Sequence, residues 1–165
     1  MSLIELQALL PQLILLLGAV GVLMFGAWIR NRRLWLMVGI GLALSSALVA
    51  GLVEPPLTEI AGMFSTSAYA RFCAIVWTLI IAATLLLSCR YADLHRYGGG
   101  EYTALLLFAA AGMGLLSAAT SFLGLFLALE TFTLVLYVLI AFNRVDNRGA
   151  EAGLKYLVFG AVARA

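Results

Sequence analysis

The chain has 165 residues, 64% of them hydrophobic and 11% charged, with a formal net charge of +2. Mean hydropathy is +1.09, whereas soluble domains carry roughly 25% charged residues. A soluble globular domain is excluded, and the chain reads as an all-α polytopic membrane protein, with helices that satisfy their own backbone groups in lipid.

Five complete spans can be drawn in chain order, each near the ~20 residues a bilayer requires. The first runs from about Leu6 to Ile29, with Pro11 tolerated in its early turns. The N-terminus has no basic segment ahead of it, so it reads as a retained helix rather than a cleaved signal. The second span covers Leu34 to Val53, and Arg30-Asn31-Arg32-Arg33 joins the two. Glu54-Pro55-Pro56 then opens the longest connection, read as a loop to about Arg71.

The third span covers Phe72 to Ser88 and is followed by a charged loop holding Arg90, Asp93, His95, Arg96 and Glu101. The fourth covers Tyr102 to Ala119 and turns sharply at Thr120 into the fifth, Ser121 to Phe142. Asn143, Arg144, Asp146 and Arg148 lead into a sixth that starts near Gly149. From Ala150 to Ala165 there are too few residues for a full span, which points to a truncated sixth helix.

Basic residues set the orientation. Arg30, Arg32, Arg33, Arg90, Arg96, Arg144 and Arg148 fall on one side, while Arg71 lies on the other beside Glu5, Glu54 and Glu59. The arginine-rich side is expected in the cytoplasm and the N-terminus outside. Trp28, Trp35, Tyr91, Tyr97 and Tyr102 flank the arginine-rich loops, where an interfacial belt is expected. Gly18, Gly21, Gly39, Gly41, Gly112, Gly114, Gly149 and Gly153 would let helices approach closely. Met24, Met37, Met63 and Met113 read as packing residues, and Cys73 and Cys89 as small apolar helix residues, since their spacing suits neither a metal nor a redox motif. His95 reads as a surface residue of its loop. Nothing points to nucleic acid, because the arginines follow the membrane rather than one patch.

The ionisable residues inside spans are Glu130, Lys155 and, near the end, Arg164. Glu130 lies nine residues from the start of its span and twelve from its end, close to mid-membrane. A carboxylate there is costly to insert and usually marks an ion or proton route. A protonated glutamate bonded to a neighbouring helix is the structural alternative, with Thr131 and Thr133 as local partners on either reading. Lys155 lies about two turns into the sixth span, with Glu151 four residues ahead in ion-pair register. Snorkelling to the interface is the alternative for this lysine. Glu130 is deeper by about two turns, so a direct bridge to Lys155 is not obvious.

The segment Leu125-Phe-Leu-Ala-Leu-Glu130, then Leu136-Tyr137-Val-Leu139, then Glu151-Ala-Gly-Leu-Lys155-Tyr156-Leu-Val-Phe-Gly-Ala161 resembles the antiporter-like membrane subunits of type I NADH:quinone oxidoreductase, respiratory complex I. Among these the chain is most similar to the N subunits, counterparts of mitochondrial subunit 2, with its specific motif in the last part of the chain. The resemblance implies one transmembrane helical domain, the N-terminal part of a subunit of about fourteen helices. It implies proton translocation coupled to quinone reduction elsewhere in the complex, in the cell inner (plasma) membrane. Glu130 matches the family's fifth-helix glutamate and Lys155 the lysine opening its sixth helix; the lysines of later helices have no match before Ala165. Membrane subunits of the complex and the lipid bilayer are the implied partners. No cofactor site is implied in this chain; NADH, FMN, iron–sulfur clusters and quinone would belong to the parent complex. A cation/proton antiporter subunit, a membrane hydrogenase subunit and a non-translocating scaffold are the alternatives.

Overall fold

The computed structural model describes residues 3–29, 31–53, 59–95, 99–142 and 147–163. Arg30, Glu54, Pro55, Pro56, Arg96, Tyr97, Asn143, Arg144, Asp146 and Arg164, singled out above, lie outside the described residues, as do the side chains of Glu5, Arg90, Tyr91, Asp93 and His95.

The helices are α1 (Leu3–Gly26), α2 (Arg32–Leu52), α3 (Ala68–His95), α4 (Gly99–Ala118), α5 (Phe122–Ile140) and α6 (Asn147–Val162). The first five are long and apolar enough to cross a membrane. Side-chain caps fix several starts. Asn31 Oδ1 accepts from the Leu34 N–H of α2 at 3.4 Å, Ser67 Oγ from Ala70 of α3 at 3.2 Å, and Ser121 Oγ from Gly124 of α5 at 3.0 Å. Each satisfies a donor the helix itself leaves free.

Two boundaries differ from the expectations set by hydropathy. The third helix is longer at both ends than Phe72–Ser88, because backbone hydrogen bonding continues through Arg71 and past Cys89, where apolarity stops but helix propensity does not. The fourth starts at Gly99 rather than Tyr102, with Gly100 packed on the backbone of Gly26 and Gly99 on that of Arg32.

The connection after Val53 is not a plain loop. It contains a hairpin of β1 (Glu59–Ile60) and β2 (Phe64–Ser65), paired Glu59 with Ser65 and Ile60 with Phe64. Ala61 and Gly62 have φ of 52° and 65°, and Met63 N–H donates to the Ile60 carbonyl at 3.0 Å. Two central residues at positive φ make a type I′ turn, whose twist suits a hairpin. The hairpin reaches across to the α4–α5 turn. Phe64 bridges Ala119, and Thr120 N–H donates to the Met63 carbonyl at 2.8 Å.

The helix at the centre is α4, packed on α1, α2, α3 and α5, while α6 packs on α5. Its sequence explains the position. Ala104, Ala109, Ala110, Ala111, Gly112 and Gly114 are all buried, and small residues let four neighbours approach one axis. Around it Leu15, Ala19, Val22, Leu36, Ala43, Ile81 and Leu85 form the core with Leu107 of α4. The outer faces carry Leu17, Met24, Leu48, Leu87 and Phe122, all exposed and apolar, as a lipid-facing surface requires.

Trp35 corrects the belt expectation. It is buried, and its indole N–H donates to the Ile29 carbonyl of the α1–α2 turn at 2.7 Å, so at this end of the bundle it packs between helices rather than facing outward. Trp28 is exposed as expected. Tyr102 also points into a helix contact, with its hydroxyl 2.9 Å from Ser88 Oγ and its ring 5.9 Å from that of Phe142.

Candidate functional site

Contacts between helix ends sort the charges into two groups. Gly26 of α1, Arg32 of α2 and Gly99 of α4 meet at one end. The Tyr102–Phe142 contact adds the end of α5, and Gly153 against Ala141 adds the opening of α6, where Arg148 lies. Arg71 lies at the opposite end, in the first turn of α3, near the hairpin and the end of α4.

Glu130 lies nine residues beyond the Ser121 cap, about 13 Å along α5. It is half-buried. Gly124, Ala128, Phe132 and Val135 recur at helical spacing on the side that meets the hairpin and α4; a methyl group at Gly112 would meet the Phe132 backbone at 3.1 Å. Glu130, Tyr137 and Ala141 recur on the other side. Tyr137 and Ala141 touch α6: the Tyr137 and Tyr156 rings stand edge to face at 5.3 Å, and Gly153 packs on Ala141. Glu130 therefore faces the α6 side of α5, seven residues or about 10 Å deeper than that contact.

The flanking threonines bond along their own helix. Thr131 Oγ1 donates to the Leu127 carbonyl at 2.9 Å, and Thr133 Oγ1 lies 2.9 Å from the Leu129 carbonyl and 3.2 Å from that of Glu130. Such back-bonding gives each hydroxyl an acceptor on its own apolar helix.

Lys155 pairs with Glu151. Its Nζ lies 2.6 Å from Glu151 Oε1, with the two side chains 66% and 62% exposed. The sequence-derived i,i+4 pair is therefore present, and the lysine's ion-pair partner is the glutamate on its own helix. Glu130 faces α6, whereas Lys155 and Glu151 lie on the side of α6 turned away from the Gly153 and Tyr156 contacts with α5, and nearer the helix opening. Between their levels lie Tyr137 and Tyr156, which the sequence pattern had not marked as a contact; only their occurrence in the segments around both ionisable residues hinted at it. Among the described residues no three His, Cys, Asp or Glu side chains come together as a metal site.

The family described as NADH:quinone oxidoreductase/Mrp antiporter, transmembrane, matches residues 119–165, the segment carrying Glu130, Glu151 and Lys155. Over nearly the whole chain there is similarity to curated N subunits. NADH-quinone oxidoreductase subunit N of Syntrophotalea carbinolica is 44% identical over 163 residues, covering 97% of this chain and 33% of the relative. Subunit N of Geobacter metallireducens is 38% identical over 166 residues, covering 100% and 35%. Subunit N 2 of Rhizobium meliloti is 37% identical over 164 residues, covering 96% and 34%. The chain spans about a third of the length of these curated relatives. A bundle of membrane-length helices with an acidic residue in the fifth and a Glu–Lys pair opening the sixth helix is thus similar, over nearly all its residues, to the N subunits of NADH-quinone oxidoreductase.

Proposed function

We propose that the chain contributes to proton translocation as part of an antiporter-like membrane subunit of an NADH:quinone oxidoreductase. The observation that carries this reading is the half-buried Glu130, midway along α5 and on the side that meets α6, with Lys155 and Glu151 at the opening of α6. In this reading the chain is the N-terminal part of a larger subunit in the cell inner (plasma) membrane, with its arginine-rich end in the cytoplasm. Its partners are the other membrane subunits of the complex, and redox chemistry belongs to those that hold the cofactors.

The mechanism is electrostatic. While Lys155 is paired with Glu151, its charge is largely compensated at a distance. The pair is neutral as a unit, so opening it acts on Glu130 only to the extent that the Lys155 ammonium comes nearer to Glu130 than the Glu151 carboxylate does. At ~10 Å or more and an effective dielectric near 20 the attraction of a single ammonium is no more than about 2 kcal/mol.

Glu130→Gln in the intact enzyme tests the reading. Proton pumping per quinone reduced should fall several-fold while assembly is retained, and Glu130→Asp should restore part of it. Normal pumping by the Gln variant would sink the assignment. The matched family description also covers Mrp antiporters; transport that requires sodium would favour that branch.

A further inference from the structure

At the arginine-poor end α1 carries Gln7, Pro11 and Gln12 within two turns. Pro11 has no N–H, so the Gln7 carbonyl lacks the donor a regular helix would give it. The Pro11 carbonyl accepts from Ser46 Oγ of α2 at 2.9 Å, and Ser46 is fully buried. At the next residue, the Gln12 side chain lies against Gly114 of α4. Its Oε1 is buried and has no hydrogen-bond partner among the described residues. A buried amide oxygen left unpaired is costly, and such atoms are normally satisfied by protein or ordered water.

Gln12 itself lines a space large enough to hold water. A cleft of about 50 Å³ is lined by Gln7, Gln12, Val53, Phe64, Ser67 and Arg71. One water needs only ~10–15 Å³ measured this way, together with polar neighbours. Deeper in, the gap lined by Gln12, Leu15, Ser46, Thr78, Ala110 and Gly114 has about 0 Å³ for water. Ser46 there donates to Pro11, and Thr78 Oγ1 lies 2.9 Å and 2.8 Å from the carbonyls of Ala74 and Ile75.

We propose that Gln12 is the floor of a water-binding cleft: at least one ordered water donates to its amide oxygen, and hydration stops there. Exchanging the two ends of the amide does not change the outcome, because water both donates and accepts. The cleft is then a dead end. It admits water from the arginine-poor end, while the dry layer at Ser46 and Thr78 separates it from the rest of the bundle. This site does not depend on Glu130 or Lys155.

Water-edited solid-state NMR of the intact protein in lipid bilayers tests this directly, since Gln7 and Gln12 are the two glutamines in the chain. The Gln12 side-chain signal should gain polarisation from water at least about fivefold faster than Gly112, as contact with an ordered water requires. Ser46 should build up as slowly as Gly112. In Gln12→Leu, fast transfer at the neighbouring Pro11 should be lost, while backbone shifts elsewhere keep their wild-type values. A Gln12 signal as slow as that of Gly112 would overturn the water site. A Ser46 signal as fast as that of Gln12 would overturn the dead end.

Discussion

Trp35 shows how one polar atom fixes a helix junction. The ring is 7% exposed, and its N–H closes the α1–α2 turn by donating to the Ile29 carbonyl. Trp35→Phe keeps most of the apolar area and deletes that bond, so it should destabilise by about 1–2 kcal/mol. Trp28→Phe, seven residues earlier and 88% exposed, should stay within about 0.5 kcal/mol. Thermal unfolding of both variants in detergent checks the contrast, and equal shifts would contradict the assigned contact. The two tryptophans look alike in sequence, each beside an arginine-rich loop. Their difference arises because the second sits on the α2 face turned toward α4, which hydropathy does not register. The Glu151–Lys155 pair was legible, because four-residue spacing on a helix is a local property. With both side chains mostly exposed it adds little to stability, on the order of 0–1 kcal/mol. Its interest therefore lies in its charge rather than in its bond energy.

Among elements, glycine positions separate contact faces from lipid faces. A methyl group at Gly39 would collide with Thr103 and press on Leu85, whereas at Gly41 it would meet nothing within 4 Å. Gly39→Ala should therefore cost about 1–3 kcal/mol by over-packing, and Gly41→Ala should be neutral or stabilising by up to about 1 kcal/mol through helix propensity. Denaturant midpoints of the pair provide the measurement, and a reversed order would refute the packing of α2 on α4. Sequence spacing marked both glycines as packing residues, but a two-residue step on a helix rotates by about 200°, so the two face opposite ways. The hairpin was missed for a related reason. Its strands are two residues each, too short for an alternating pattern, and they are held by pairing to each other and to the α4–α5 turn.

The whole molecule is a bundle built around α4, with α6 attached through α5. Protection should follow that arrangement. Backbone amide exchange in a lipid bilayer should be slowest in the buried middle of α4, around Leu107 and Ala111, and fastest in α6, whose residues are largely exposed. Exchange measured by mass spectrometry decides it, and an α6 as protected as α4 would mean that another surface covers it. The same arrangement gives Glu130 its setting. One side of α5 is committed to α4 and the hairpin, so the carboxylate on the other side turns toward α6.

The sequence by itself determined the class of the protein, the number and order of its complete spans, the segregation of arginines, and the depth of Glu130 along its helix. These follow from hydropathy and from a fixed rise per residue, which act locally along the chain. The tertiary structure decided which face of each helix is used. It made α4 the centre, buried Trp35, set Tyr137 against Tyr156, and left Gln12 beside a cleft with room for water. In spans that are apolar on every side, no amphipathic stripe announces the contact face, so it emerges only when small residues and single polar atoms on different helices find one another.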